Sequence, residues 1–299
     1  MNTNILWLGT PQCDNPALVG GKTANLSRLA AREPVPPGFC LTTASYQRAH
    51  ESRRPRTATG GSAVALPAAL RAELVRAYAQ LAARSGLAAP PVAVRSSAVD
   101  EDGGAASFAG QHETYLNVAG AGAVVDAVAR CWESARSQRA LAYRQHYGMG
   151  TQGAPVAVLV QQLVVADVSA VVFSSDPVTG ARDRIVINAS WGLGESVVGG
   201  MVTPDTYTVH KSDLAVVGRQ IAEKRQMTVA VPGGTAEVLV PRFLRNQPAL
   251  DGDQIDMLAR LALELETTMG WAVDLECAYQ DGQLHLLQCR PITTLAQAA

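Results

Sequence analysis

Near the end of the sequence, Asp274-Leu275-Glu276 and Gln288-Cys289-Arg290-Pro291 stand on either side of Asp281-Gly282. An Asp-Gly pair between two strand-like runs marks a β-hairpin, which ties these segments together whatever the rest of the chain does. Side chains two apart on a strand share a face, so Asp274 and Glu276 point together, as do Gln288 and Arg290. If Asp281 and Gly282 alone form the loop, Gln280 opposes Gln283, and Glu276 and Gln288 fall on opposite faces. A three-residue loop, Gln280-Asp281-Gly282 with Gly282 left-handed, restores a common face and sets Asp274 opposite Gln288; this is the loop the sequence predicts. The hairpin then gathers two carboxylates, an amide oxygen and a guanidinium. Hard oxygens suit Mg²⁺ and a planar cation suits phosphate oxygens. Taken alone, the segment also reads as an ordinary solvated hairpin face.

The chain has 299 residues, a net charge of -1 and 47% hydrophobic residues, enough for a large core divided into two lobes. Near-neutral charge gives no support for a nucleic-acid partner. No apolar run reaches membrane-span length, and residues 1–9 lack the basic start of a secretory signal, so no membrane association is expected. Cys13, Cys40, Cys131, Cys277 and Cys289 are scattered without a C-x-x-C pair, which points to a reduced, cytoplasmic protein with no zinc site.

Helix-like and strand-like segments alternate, which predicts an α+β layering. A helix is expected after Gly20-Gly21 through Leu26 and Leu29, and a second on the stripe Leu70, Leu74, Tyr78 and Leu81, ending near Gly86. Residues 53–66 read as a polar surface loop. A short strand, Val92 to Val94, leads into Arg95-Ser96-Ser97, and a small-residue stretch from Asp102 to Gly110 precedes a strand at Thr114 to Val118. Val124 to Tyr147 reads as one long helix. The second half reads mainly as strands, with a turn at Asp176-Pro-Val-Thr-Gly180, a last helix at Gln254 to Met269, and the closing hairpin.

Several nucleotide-binding patterns fail on the residues themselves. A P-loop at Gly21-Lys22-Thr23 needs glycine at position 16, which is Pro16. A dinucleotide fingerprint at Gly192-Leu-Gly194 needs glycine at 197, which is Val197. No histidine pair has metal-ligand spacing, and Ser96-Ser97 sits in no Gly-x-Ser-x-Gly elbow. Lys22 reads either as a phosphate-binding lysine of another geometry or as a surface lysine opening a helix. Arg95, at the end of its strand, offers a donor fork for phosphate oxygens. The glycines after it allow backbone N–H groups to approach a polyphosphate and a lid to move.

In order along the chain come Gly-Gly-Lys22-Thr-Ala-Asn-Leu, Val35-Pro-Pro-Gly-Phe, Val94-Arg95-Ser-Ser-Ala and Ser107-Phe-Ala-Gly-Gln-His-Glu-Thr-Tyr-Leu-Asn. Phe173-Ser-Ser-Asp-Pro-Val-Thr-Gly180, Gly192-Leu-Gly-Glu195, Val202-Thr-Pro-Asp and Leu287-Gln288-Cys-Arg290-Pro follow. Together they resemble the ATP-binding domain shared by phosphoenolpyruvate synthase, pyruvate phosphate dikinase and rifampicin phosphotransferase, over about residues 5–295. The resemblance implies an ATP-grasp fold of two α/β lobes clamping Mg-ATP between them. The lobes are expected at residues 1–160, with a glycine-rich lid, and 161–299, with the metal-binding hairpin.

Carried over position by position, Lys22 and Arg95 look like triphosphate ligands, and Gly103, Gly104, Ser107 and Gly110 belong to the lid over the phosphates. Gln161, Gln162, Leu163 and Val164 occupy the segment where family members bind adenine. Glu276 and Gln288 look like Mg²⁺ ligands, with Asp274 beside them and Arg290 on the phosphates; Lys22, Arg95 and Arg290 take the catalytic roles. Thr23 stands where the family usually has glycine, and Ser169-Ala170 replaces its usual Ser-Gly. Family enzymes continue into a domain whose histidine carries phosphate and then into an acceptor-substrate domain. The resemblance therefore implies an ATP-cleaving phosphotransferase subunit that passes a pyrophosphoryl or phosphoryl group to a histidine on a separate partner, giving AMP and phosphate. Two other readings stand beside it: a self-sufficient ATP-grasp kinase or ligase, and a non-catalytic nucleotide-binding partner.

Overall fold

A computed structural model describes residues 3–51, 66–99, 114–135, 137 and 155–292. The expected loop at 53–65, the lid residues Gly103, Gly104, Ser107 and Gly110, and most of the expected helix beyond Ala135 lie outside the described residues. The chain divides into two units. One comprises Met1–Arg32, Pro36–Leu163 and Pro232–Gly234; the other comprises Glu33–Val35, Val164–Val231 and Thr235–Ala299.

The first unit contains β1 (Ile5–Trp7), α1 (Pro16–Val19), α2 (Gly21–Leu29), β2 (Gly38–Leu41), α3 (Thr43–Glu51) and α4 (Ala68–Ser85), followed by β3 (Val92–Ala98), β4 (Thr114–Val118), α5 (Ala121–Ser134) and β5 (Val156–Gln162). Its strands form an antiparallel sheet in the order β1-β2-β5-β3-β4. The leucine stripe of α4 is fully used: Leu70, Leu74, Tyr78 and Leu81 are buried, and left-handed Gly86 ends the helix. They pack with Val92, Val94, Val158 and Trp132 on one side of the sheet. Burying each such leucine contributes roughly 1.5–3 kcal/mol. A smaller cluster of Val19, Ala24, Cys40 and Ala157 fills the side covered by α1 and α2. β3 does not stop at Val94 as its short apolar run suggests. It continues through Ala98, because Ser96 and Ser97 pair with Val158 and Ala157 of β5, and Arg95 is therefore a mid-strand residue.

The second unit contains β6 (Val168–Phe173), β7 (Arg184–Trp191), α6 (Glu195–Val198), β8 (Asp205–His210), β9 (Val216–Gln220), the hairpin β10 (Gln226–Val231) and β11 (Gly234–Leu239), α7 (Gly252–Met269), β12 (Val273–Gln280) and β13 (Gln283–Pro291). A six-stranded antiparallel sheet runs β13-β12-β6-β7-β8-β9. α7 begins at a capping box between Asp251 and Gln254 and ends at left-handed Gly270. It lies on one face of the sheet, where Tyr279 donates its hydroxyl to the Gln254 carbonyl at 3.1 Å. Alternation along β12 therefore turns Val273, Leu275, Cys277 and Tyr279 toward α7 and Asp274 and Glu276 to the opposite face. The turn at Asp176 forms as expected, its carboxylate accepting from the Val178 and Thr179 amides at 2.9 and 3.2 Å.

The closing hairpin departs from its predicted loop. Asp281 (φ 51°) and Gly282 (φ 75°) are both left-handed, so the loop has two residues and Gln280 pairs with Gln283. Asp tolerates that conformation because its short polar side chain costs little there, and the Asp281 amide is anchored on Asp167 Oδ2 at 2.8 Å. The common face is recovered by a β-bulge instead. Cys277 pairs with Leu286 and Glu276 with Gln288, so Leu287 is the extra residue. Asp274 consequently faces Arg290, not Gln288.

Candidate nucleotide-binding site

In the first unit the site residues are placed by one close approach. Gly20 has φ 78°, and a Cβ there would lie 2.3–2.6 Å from Ser97 atoms, so only glycine lets the start of α2 sit against β3. Thr23 N then donates to Ser97 Oγ at 3.3 Å. Because Ser97 faces α2, alternation puts Arg95 on that same side of the sheet, and Lys22 follows Gly21 at the start of the helix above it. The two cations expected on a triphosphate thus belong to one face of one unit. Thr23, at the position where glycine is usual, is fully buried. The Gln161 side chain is also buried and donates to the Pro36 carbonyl at 3.3 Å. The Gln162 and Leu163 amides are taken by the Pro37 and Pro91 carbonyls, both at 2.9 Å. Val164 begins the second unit and is buried.

In the second unit the hairpin brings four of the expected residues together. Gln288 Nε2 donates to Glu276 Oε1 at 3.0 Å, and Arg290 Nε donates to Asp274 Oδ2 at 2.8 Å. The first bond fixes the Gln288 amide with its nitrogen toward Glu276, which leaves the carbonyl oxygen as its donor atom toward a metal. The second holds the guanidinium against a carboxylate whose side chain is only 7% exposed. Asp274, Glu276 and Gln288 carry hard oxygens, the donor type a small divalent cation prefers. Among the described residues no group of three or more His, Cys, Asp or Glu side chains could hold a metal ion, so a nitrogen–sulfur site is absent there.

Asp274, Glu276 and Arg290 border a cavity of about 390 Å³ on the sheet face opposite α7. Its further lining includes Asn188, Thr206 and Gln220, none of which the sequence reading singled out. The available signal was alternation: Asn188 lies between buried Ile187 and Ala189, and Thr206 precedes buried Tyr207. A second unforeseen feature lies behind the rim. Asp205 and Lys224 form a fully buried ion pair at 2.6 Å. Asp205 also accepts from the Ala222 and Ala249 amides at 2.9 and 2.8 Å. Glu195 opens α6 and accepts from Thr235 Oγ1 at 3.1 Å. No described helix is long and apolar enough to cross a membrane.

Two antiparallel sheets with flanking helices, with Lys22 and Arg95 on one and the Asp274–Arg290 hairpin on the other, define an α+β nucleotide-binding domain of the ATP-grasp type. The sequence matches the family described as "Pyruvate phosphate dikinase, AMP/ATP-binding domain" over residues 61–299, and the chain belongs to that family. It is 36% identical to the phosphoenolpyruvate synthase of Pyrococcus furiosus, with 99% of this chain and 44% of the relative aligned. It is 37% identical to the rifampicin phosphotransferase of Streptomyces sviceus, with 93% and 34% covered. It is 38% identical to a prodigiosin synthesizing transferase of Serratia marcescens, with 99% and 34% covered. The chain spans less than half the length of these relatives.

Proposed function

We propose that this ATP-binding domain cleaves Mg-ATP and passes a pyrophosphoryl or phosphoryl group to a histidine on a separate partner domain or protein, leaving AMP and phosphate. The observation that carries the reading is the pairing of Glu276 with Gln288 beside Asp274 with Arg290 on one open sheet face. Lys22, Arg95 and Arg290 would bind phosphate oxygens, and residues 161–164 would adjoin the adenine. Glu276 and Gln288 would hold Mg²⁺, which supplies charge neutralisation on the phosphate oxygens. Phosphoryl transfer asks little of a protein beyond in-line positioning and cations on the equatorial oxygens, and this residue set supplies the cations.

A shared ATP-activating step, with the acceptor handled outside this domain, is supported by the relatives. Proteins named for phosphoenolpyruvate, rifampicin and prodigiosin chemistry resemble this chain to nearly the same degree. An acceptor-specific site would have to differ among them, whereas a shared ATP-activating step would not. The five free, buried cysteines fit a reducing compartment, in keeping with a cytoplasmic ATP-dependent enzyme. The test is Mg-dependent ATP binding by titration calorimetry on the chain, on Arg95→Ala and on Glu276→Gln. Binding to the native chain should weaken by about tenfold or more in each variant, the worth of a charge-assisted contact of roughly 1.5–3 kcal/mol. Unchanged affinity in both variants would refute the assignment.

A further inference from the structure

The cavity in the second unit changes character away from the charged cluster. Along it runs a transverse row, Glu276–Val171–Asn188–Thr206–Gln220, in which each residue pairs with the next across β12, β6, β7, β8 and β9. Paired residues share a face, so the whole row looks into the cavity. With strands ~4.8 Å apart, Asn188 lies on the order of 10 Å from Glu276 and Gln220 on the order of 20 Å.

Past the cluster the polar groups are all neutral: Asn188, Thr203, Thr206 and Gln220. The intervening walls are apolar, chiefly Phe173, Val197 and Pro204. A further phosphate subsite calls for cations, and among the described residues none lines this half. The Thr206 hydroxyl donates to Asn188 Oδ1 at 2.9 Å and so sets the orientation of the amide. Asn188 Nδ2 donates to no other group among the described residues.

We propose that this half of the cavity admits the ring of the phosphoryl acceptor, a neutral imidazole, with Asn188 as a positioning residue oriented by Thr206. The inference rests on the function proposed above and states where its acceptor enters. An imidazole has apolar faces to lie against Phe173 and Pro204, one ring N–H for the amide and hydroxyl acceptors of the row, and one lone pair to turn toward the charged cluster. Neutral partners keep the ring uncharged and nucleophilic; a carboxylate at that end would favour the inert imidazolium. The lone pair forms the N–P bond while the attacked phosphoanhydride P–O bond breaks. The electron pair stays on the leaving phosphate oxygen, and the ring N–H proton passes to water. The base of the nucleotide is a poorer occupant. Its expected neighbour, Val164, precedes the start of β6 by four residues, whereas Phe173 ends that strand.

The experiment is an NMR titration of the ¹⁵N-labelled chain, saturated with Mg-ADP, using imidazole as the probe. Saturable shifts are expected at the Asn188 side-chain amide and the Thr206 backbone amide. Imidazole affinity should fall about tenfold in Asn188→Leu and less in Thr206→Val, with Mg-ADP affinity held within about twofold as the check on folding. No saturable shift in this cavity, in a chain that binds Mg-ADP, overturns the inference and leaves the parent function standing. A tenfold loss of Mg-ADP affinity in Asn188→Leu overturns it by giving the cavity to the nucleoside. Failure of the native chain to bind Mg-ADP removes the parent function and this inference together.

Discussion

Lys224→Met removes the cation of the Asp205–Lys224 pair while keeping a side chain of similar length in its place. Both partners are fully buried at 2.6 Å, so the substitution leaves a carboxylate in the interior. That carboxylate still accepts from the Ala222 and Ala249 amides, which limits but does not cancel the loss. Breaking a buried pair by removing one partner costs about 3–5 kcal/mol. For a unit of this size that is a fall of roughly 6–20 °C in thermal midpoint. The exposed pair Arg225–Glu223, at 2.7 Å, supplies the contrast: solvent screens it, so Arg225→Ala should leave the thermal midpoint nearly unchanged. The double variant Asp205→Asn/Lys224→Met should recover part of the lost stability, because no unpaired charge then remains. The assay is thermal unfolding followed by calorimetry. A Lys224→Met midpoint within about 2 °C of the native chain would refute the reasoning, since it would mean that burial imposes no penalty on the orphaned carboxylate. The site has a stake in the result. Asp205 lies between Pro204, at the cavity rim, and Thr206, which orients Asn188.

Three further outcomes follow from particular contacts. Gly20→Ala should destabilise the first unit by about 1–3 kcal/mol and weaken ATP binding, because a Cβ there meets Ser97 backbone atoms at a positive φ; denaturant unfolding and calorimetry measure both. Deleting Leu287 removes the bulged residue and leaves Gln288 opposite Glu276 and Arg290 opposite Asp274 in a regular ladder, so the hairpin should form and Mg-dependent ATP binding should persist; binding lost from a folded deletion variant would contradict the register. Burial raises the Cys13 thiol from 9.0 to about 11, so native-state alkylation at neutral pH should be slow. The same shift makes the contribution of Cys13 to stability complete below pH 9.0 and progressively lost toward pH 11, as the unfolded chain ionises first; urea unfolding across that range measures it.

What the sequence revealed depended on whether a signal was local. α4 was legible because its apolar stripe and terminating glycine agree, and α7 because its Asp-rich cap and terminating glycine do. The membership of the hairpin site was legible because residue types and spacing of two travel together, but its register was not. A bulge and a longer loop both restore a common face, and only packing chooses between them. β9 escaped because Val216 and Val217 are both exposed and show no alternation in burial. The Asp205–Lys224 pair joins residues nineteen apart whose identities, read locally, suggest solvent. Asn188 and Thr206 looked like ordinary outward-facing strand residues, and only the strand order puts them in a row with Glu276.

The central claim is that this domain initiates an AMP-forming phosphotransfer. It is tested most directly by ³¹P NMR of Mg-ATP incubated with the chain and a phosphohistidine-type partner domain. The account predicts that AMP and inorganic phosphate appear together with a phosphoimidazole resonance on the partner, and that Glu276→Ala abolishes all three. Accumulation of ADP without AMP would contradict it.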